Sequence, residues 1–191
     1  MPQALKSRLL QLQSPSNNEL HEAMVAASDL TRWYAAAITD LLQAHNLRAS
    51  DIRAIGCHGQ TIRHRPAEGY TLQLIQAALL AELSQIDVIA DFRSRDIAAG
   101  GQGAPLVPAF HQALLGWTNT HRVIVNIGGM ANLSSLPASG PAIGFDCGPG
   151  NVLMDAWIDA QRHQPYDEDG AWAASGLVCG TLLDKLKAHP F

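Results

Sequence analysis

The stretch from Val123 to Ile158, VIVNIGGMANLSSLPASGPAIGFDCGPGNVLMDAWI, constrains the fold of this chain more than any other. It opens with Val123, Ile124 and Val125, a β-branched run of the kind a buried strand carries. It then reaches Gly128 and Gly129, where the backbone takes positive φ without steric cost. Met130 to Leu136 reads as the returning strand, so the unit is a hairpin whose turn presents bare backbone N–H groups, a shape suited to phosphate oxygens. A second unit follows. Ile143 to Phe145 is a short strand ending at Asp146, and Gly148, Pro149 and Gly150 turn the chain into a helix with Asn151 at its N-cap. A carboxylate thus stands at a strand end, beside a helix N-terminus. Each feature alone has a structural alternative: an Asp before a Gly-Pro-Gly turn often bonds only its own backbone, and paired glycines are common in hairpins.

A length of 191 residues allows one full domain or two small ones, and 47% hydrophobic residues support a core. Charged residues make up 16% with a formal net charge of -4, which argues against nucleic acid or an anionic membrane surface as a partner. Cys57, Cys147 and Cys179 match neither a disulfide framework nor a zinc spacing and fit a reducing compartment, so a cytoplasmic location is expected. The N-terminus lacks a signal-type apolar core, and no apolar run is long enough to cross a bilayer.

Along the chain, Leu5, Leu9 and Leu12 keep helical spacing until Ser14, Pro15 and Ser16 break it. Ser16 and Glu19 form a capping-box signature, and Leu20, Met24, Ala27, Tyr34, Ile38 and Leu41 predict the core-facing stripe of a long helix ending near His45. Ile52 to Cys57 reads as a buried strand leading into the polar segment His58 to His64, which carries too many hydrogen-bonding side chains for a mere connector. Its two histidines lack a third ligand at metal spacing, so no metal site is expected there. Tyr70 to Leu74 is a strand, Ala77 to Leu83 a short helix, and Val88 to Ala90 a strand ending at Asp91. Strands alternating with helices predict an α/β layer. Asp91 to Asp96 then places alternating charges past a strand's carboxyl end, the usual position of ligand groups in such sheets, with an exposed ion-pair cluster as the alternative. Residues 98–108 form a glycine-rich loop without a phosphate fingerprint, Phe110 to Leu115 a short helix, and a domain boundary is expected near Thr118. Near the C-terminus, Leu182 to Leu186 begins a further helix.

The segments HGQTIRH (58–64), ADFRSRD (90–96), GGQGAPLVPAFH (100–111), NIGGMANLS (126–134) and GFDCGPGNVLMDAW (144–157) together resemble anhydro-N-acetylmuramic acid kinases. These belong to the sugar-kinase, heat-shock chaperone and actin superfamily. The likeness runs from about Ile52 to Gly176, and five motifs in one order are far more specific than any one of them. It implies an α/β fold with the two-lobed, actin-like ATPase (ribonuclease H-like) architecture, incomplete in this chain. Residues 1–118 would then be part of lobe 1 on the sugar side, and 119–191 the start of lobe 2.

The implied reaction uses ATP and Mg²⁺: water opens the 1,6-anhydro bond of the amino sugar while the freed O6 attacks the γ-phosphate, giving N-acetylmuramic acid 6-phosphate in peptidoglycan recycling. By this resemblance Asp146 is the general base, Gly128, Gly129 and Asn132 face nucleotide phosphates, and Thr61 and Arg95 contact the sugar with His58 and Gln60 in support. A carboxylate suits proton removal from water, partial desolvation raising its basicity, and an Arg fork suits sugar and carboxylate oxygens. The expected partners are the amino sugar and ATP, with a homodimer allowed. Two departures stand out. Ile75-Gln76-Ala77 replaces the family's usual Gly-polar-small turn after its third strand. The family's opening strands with their first phosphate loop, and its closing adenosine segment, have no counterpart here. The expectation is an internal segment of a longer kinase, inactive as it stands, or else a non-catalytic sugar-binding or dimer-forming remnant.

Overall fold

The computed structural model describes residues 1–189. They divide into two compact units, Met1–Ala104 and a second that begins at Pro105.

The first unit opens with helices α1 (Gln3–Gln11) and α2 (Glu19–Ala44). Strand β1 (Ile55–Gly56), the hairpin β2 (Gln60–Arg65) and β3 (Tyr70–Leu74), helix α3 (Ala77–Ser84), strand β4 (Val88–Ile89) and helix α4 (Ser94–Ala98) follow. The leucines of α1 do form a core face: Leu5, Leu9 and Leu12 pack with Ala23, Ala26, Ala27 and Leu30 of α2 and with Ile62 and Leu74 of the hairpin.

Three expectations change here. The buried stripe of α2 is Ala23, Ala26, Ala27, Leu30, Thr31 and Ala35, while Leu20, Met24 and Leu41 are exposed. Small alanines let neighbouring helix backbones approach closely, so the long side chains are turned out of the contact. The capping box does not form. Asn18, in the left-handed region, precedes α2 without a side-chain cap, and the Glu19 carboxylate pairs with the guanidinium of Arg63 instead. Finally, the polar segment 58–64 is largely strand. β2 pairs antiparallel with β3 around a turn closed by Gly69 at φ 80, and a register shift between Thr61 and Arg63 marks a bulge at Ile62. With Ile62 its one buried residue, β2 carries little of the apolar alternation by which a strand is recognised.

β1 and β4 form a short parallel pair, Ile55 opposite Val88 and Gly56 opposite Ile89. Their carboxyl ends deliver His58 and the 91–96 turn to one place. Gln76, in the departure noted above, donates its N–H to Thr31 Oγ1 at 3.0 Å and its amide to Ser28 Oγ at 2.7 Å, tying the start of α3 to α2.

The second unit comprises α5 (Val107–Leu115), strands β5 (Arg122–Ile127), β6 (Met130–Leu136) and β7 (Ile143–Pro149), then α6 (Val152–Arg162), α7 (Ala171–Ala174) and α8 (Gly180–Lys187). The hairpin of β5 and β6 forms as read, and β7 adds to it antiparallel, making a three-stranded meander. β7 runs on through Gly148 and Pro149, residues the sequence places in a turn, because Gly148 and Pro149 pair with Ala131 and Met130. Helix α5 packs on β6 and β7, with His111 Nδ1 3.0 Å from Ser134 Oγ. The compact unit begins at Pro105. The fold is mixed α/β with small sheets.

Candidate functional site

In the second unit the antiparallel register aligns Asn126 with Asn132, and Asn132 with Asp146. Residues directly opposite on antiparallel strands share a face, so two amides and a carboxylate form one polar row across β5, β6 and β7. It lies on the face that bears Ser134 and Gly144, farther along the strands from where α5 covers them. Between the Ala131–Gly148 and Asn132–Asp146 pairs the register slips, leaving Cys147 as the extra residue of a β-bulge. Bulges of this kind bend a strand and re-aim the neighbouring side chain, here Asp146. Asp146 is exposed and its carboxylate receives no hydrogen bond from the described residues, so the desolvation expected of it is not supplied by them.

The Gly128-Gly129 turn is built differently from the sequence reading. Neither glycine takes positive φ, and a Cβ at either would meet only ordinary contacts, 3.9 Å to Met130 O and 3.8 Å to Val152 Cβ. Their carbonyls anchor the start of α6: Asn151 N–H donates to Gly128 O at 2.9 Å, and Gly150 and Val152 N–H donate to Gly129 O at 2.8 and 3.3 Å. The helix entry is thus satisfied by the hairpin turn, and Asn151 makes no side-chain cap. Gly150 is required by this contact, since a Cβ there would overlap the Gly128 carbonyl oxygen. The N–H groups of Gly128 and Gly129 donate to no described residue. The turn is held through its carbonyls and keeps its donors free.

In the first unit, His58 and the 91–96 turn meet. Arg93 Nε donates to His58 Nε2 at 2.8 Å and Nη1 donates to Gly103 O at 2.6 Å. Asp91 accepts from Ser94 N–H at 3.3 Å and from its hydroxyl, and Asp96 accepts from Gly103 N–H at 2.7 Å. The alternating charges therefore form no ion-pair cluster among the described residues; they organise a turn and a loop. Arg95 is exposed, its guanidinium without a hydrogen-bond partner among the described residues. On β2, Thr61 Oγ1 accepts from Gln73 Nε2 at 3.2 Å, leaving its own hydrogen free to donate, while Gln60 Nε2 donates to Thr61 O at 3.3 Å. Arg63, in the same polar motif, donates to Gln13 O and pairs with Glu19, so it fastens the α1–α2 connection.

Asn126 and Arg93 are the residues that reading by motif passed over. Asn126 was findable only from strand register, and Arg93 only from the contact between two loops. Among the described residues no group of three or more His, Cys, Asp or Glu side chains is placed to hold a metal ion, and no helix is long and apolar enough to cross a membrane.

A family model described as anhydro-N-acetylmuramic acid kinase matches residues 1–191, including α1 and α2, which the motifs leave out. Proteins bearing that name are similar over the whole of this chain: 54% identity in Neisseria meningitidis, 55% in Thiobacillus denitrificans and 58% in Cupriavidus pinatubonensis. The match takes in 52%, 50% and 52% of those proteins, so the chain spans about half the length of the curated relatives it matches. With agreement running from the first helix to the last, the chain belongs to the anhydro-N-acetylmuramic acid kinase family.

Proposed function

We propose that this chain carries the general base, one phosphate loop and part of the sugar side of an ATP-dependent kinase. That kinase converts 1,6-anhydro-N-acetylmuramic acid and water to N-acetylmuramic acid 6-phosphate, in the cytoplasmic recycling of peptidoglycan. The observation that carries the reading is the Gly128-Gly129 turn. Neither φ nor packing within the chain requires glycine there, and both N–H groups are unpaired, as a loop must be if phosphate oxygens approach its backbone. The row of Asn132 and Asp146 begins on the strand that leaves this turn.

In this reading Gly128, Gly129 and Asn132 hold phosphate oxygens of ATP, and Asp146 takes a proton from the attacking water as that water opens the anhydro bridge and O6 bonds to the γ-phosphorus with loss of ADP. Thr61 and Arg95 orient the sugar, the first through a free hydroxyl hydrogen and the second through an unpaired fork of donors. Mg²⁺ carried with the nucleotide supplies charge neutralisation on the phosphates and needs few protein ligands, which fits a row with a single carboxylate. The two compact units are then portions of the two lobes of an actin-like ATPase.

A second reading, a non-catalytic or dimer-forming domain, is favoured by one feature. The opposite face of the same sheet bears Val123, Val125, Ile127, Ile143 and Phe145, each 50 to 72% exposed. Patches of this kind mark surfaces that take a partner.

The test is a coupled ADP-release assay with the anhydro-sugar and Mg-ATP, on the chain alone and joined to the remaining half of a relative. The joined protein should turn over and the chain alone should not, and Asp146→Asn should lower turnover by roughly two to four orders of magnitude with sugar affinity retained. Near-normal turnover in Asp146→Asn removes that residue from the mechanism. Full activity of the chain alone removes the second reading.

A further inference from the structure

Both ring nitrogens of His58 are engaged. Nε2 lies 2.8 Å from Arg93 Nε and Nδ1 lies 2.9 Å from the Gly59 carbonyl oxygen. A guanidinium donates and never accepts, so Nε2 must present its lone pair. The ring's hydrogen is then on Nδ1, where the Gly59 carbonyl accepts it. In this arrangement His58 has no free nitrogen for a ligand.

The same guanidinium reaches in a second direction, donating through Nη1 to the Gly103 carbonyl, while the Gly103 N–H donates to Asp96. Both polar backbone groups of Gly103 are thereby held by side chains from one short stretch of chain, 93–96. Gly103 has φ 71, and a Cβ there would lie 2.9 Å from Ile97, so the loop end is set where only glycine fits. Arg93 is half-buried, whereas Arg95, two residues on, is exposed and unpaired among the described residues.

We infer that Arg93 is a positioning residue: its guanidinium bridges the imidazole of His58 to the carbonyl of Gly103, fixing His58 in the Nδ1–H tautomer and locking the 100–103 loop against the end of β1. His58 is then a strut between Arg93 and Gly59 and not a direct sugar ligand, and Arg95 is left as the arginine that meets substrate. The tautomer and loop statements stand on geometry alone, and the statement about sugar rests on the function proposed above.

The test uses the 191-residue chain with ¹⁵N-labelled histidine. Long-range ¹H–¹⁵N NMR at about pH 8, where imidazole is neutral, should show His58 with a bare Nε2 and a protonated Nδ1. Arg93→Ala should release the ring toward Nε2–H and raise amide exchange at Gly101 and Gly103 by roughly tenfold. Arg93→Lys, which keeps the charge without the fork, should recover the tautomer or the loop protection but not both. A protonated Nε2 in the unaltered chain, or an Arg93→Lys chain that keeps both the tautomer and the loop protection, overturns the inference even if Arg93→Ala fails to fold. A calorimetric titration with the anhydro-sugar separates the two readings. If the chain joined to the remaining half of a relative binds no sugar, the proposed function loses its support, and the NMR result still decides the role of Arg93.

Discussion

Replacing Gly150 with Ala isolates what the contact between the Gly128-Gly129 turn and α6 contributes. The added Cβ overlaps the Gly128 carbonyl oxygen and stands 3.3 Å from Ile127 Cγ2. The first of these is backbone, so no side-chain rotation relieves it and the start of α6 must move off the turn. That movement disturbs the bonds at 2.8 and 2.9 Å from Gly150 and Asn151 and the weaker one at 3.3 Å from Val152. Two lost bonds contribute about 1 kcal/mol each. Overpacking adds about 1 to 3 kcal/mol. The stiffer unfolded chain offsets up to about 1 kcal/mol. The expected loss is therefore about 2 to 5 kcal/mol, read by urea unfolding of the second unit through Trp157 and Trp172 fluorescence, with faster amide exchange at Asn151. A change below about 0.5 kcal/mol, within the range of neutral surface substitutions, with unchanged exchange, would show that helix and turn are not coupled as described.

Three further outcomes are expected. In a protein joined to a relative's remaining half, Arg95→Ala and Thr61→Ala should weaken sugar binding about tenfold or more, by loss of charged or neutral hydrogen bonds, and leave nucleotide affinity unchanged; calorimetry showing the reverse pattern would reassign them. Burial raises the Tyr34 phenol above its ordinary value, with Cys57 adding to the shift. A raised folded value means stability that is intact below the ordinary tyrosine range of about 10 and lost as pH rises through the folded value, so Tyr34→Phe should flatten the alkaline limb of a melting-temperature profile. Val125→Lys, at a residue 60% exposed on the apolar sheet face, should reduce concentration-dependent association in sedimentation velocity, and an unchanged profile would show that this face does not mediate it.

Local pattern made much of this protein legible. The leucine spacing of α1, the long helix α2, the strand Tyr70–Leu74 and the strands flanking Gly128 and Gly129 all follow from periodicity. Those signals depend on neighbours along the chain, so the sequence alone determines them, and the five motifs were enough to determine the family. The rotation of α2, the fate of Glu19, the strand character of Gln60–Arg65 and the continuation of β7 through Pro149 depend on what lies across from them in space. Alanines were preferred in the α2 contact because close packing rewards small side chains, and Glu19 left its cap because a guanidinium was within reach. The candidate site divides the same way. The glycine pair was visible as a turn and Asp146 as a carboxylate near it, but the strand end read at Asp146 lies within β7, which runs on to Pro149. The row of Asn126, Asn132 and Asp146 came from register, and the union of His58, Arg93 and Gly103 from two parallel strands ending side by side. Register and loop contact are relations between segments far apart in the chain, and only the tertiary structure decides them.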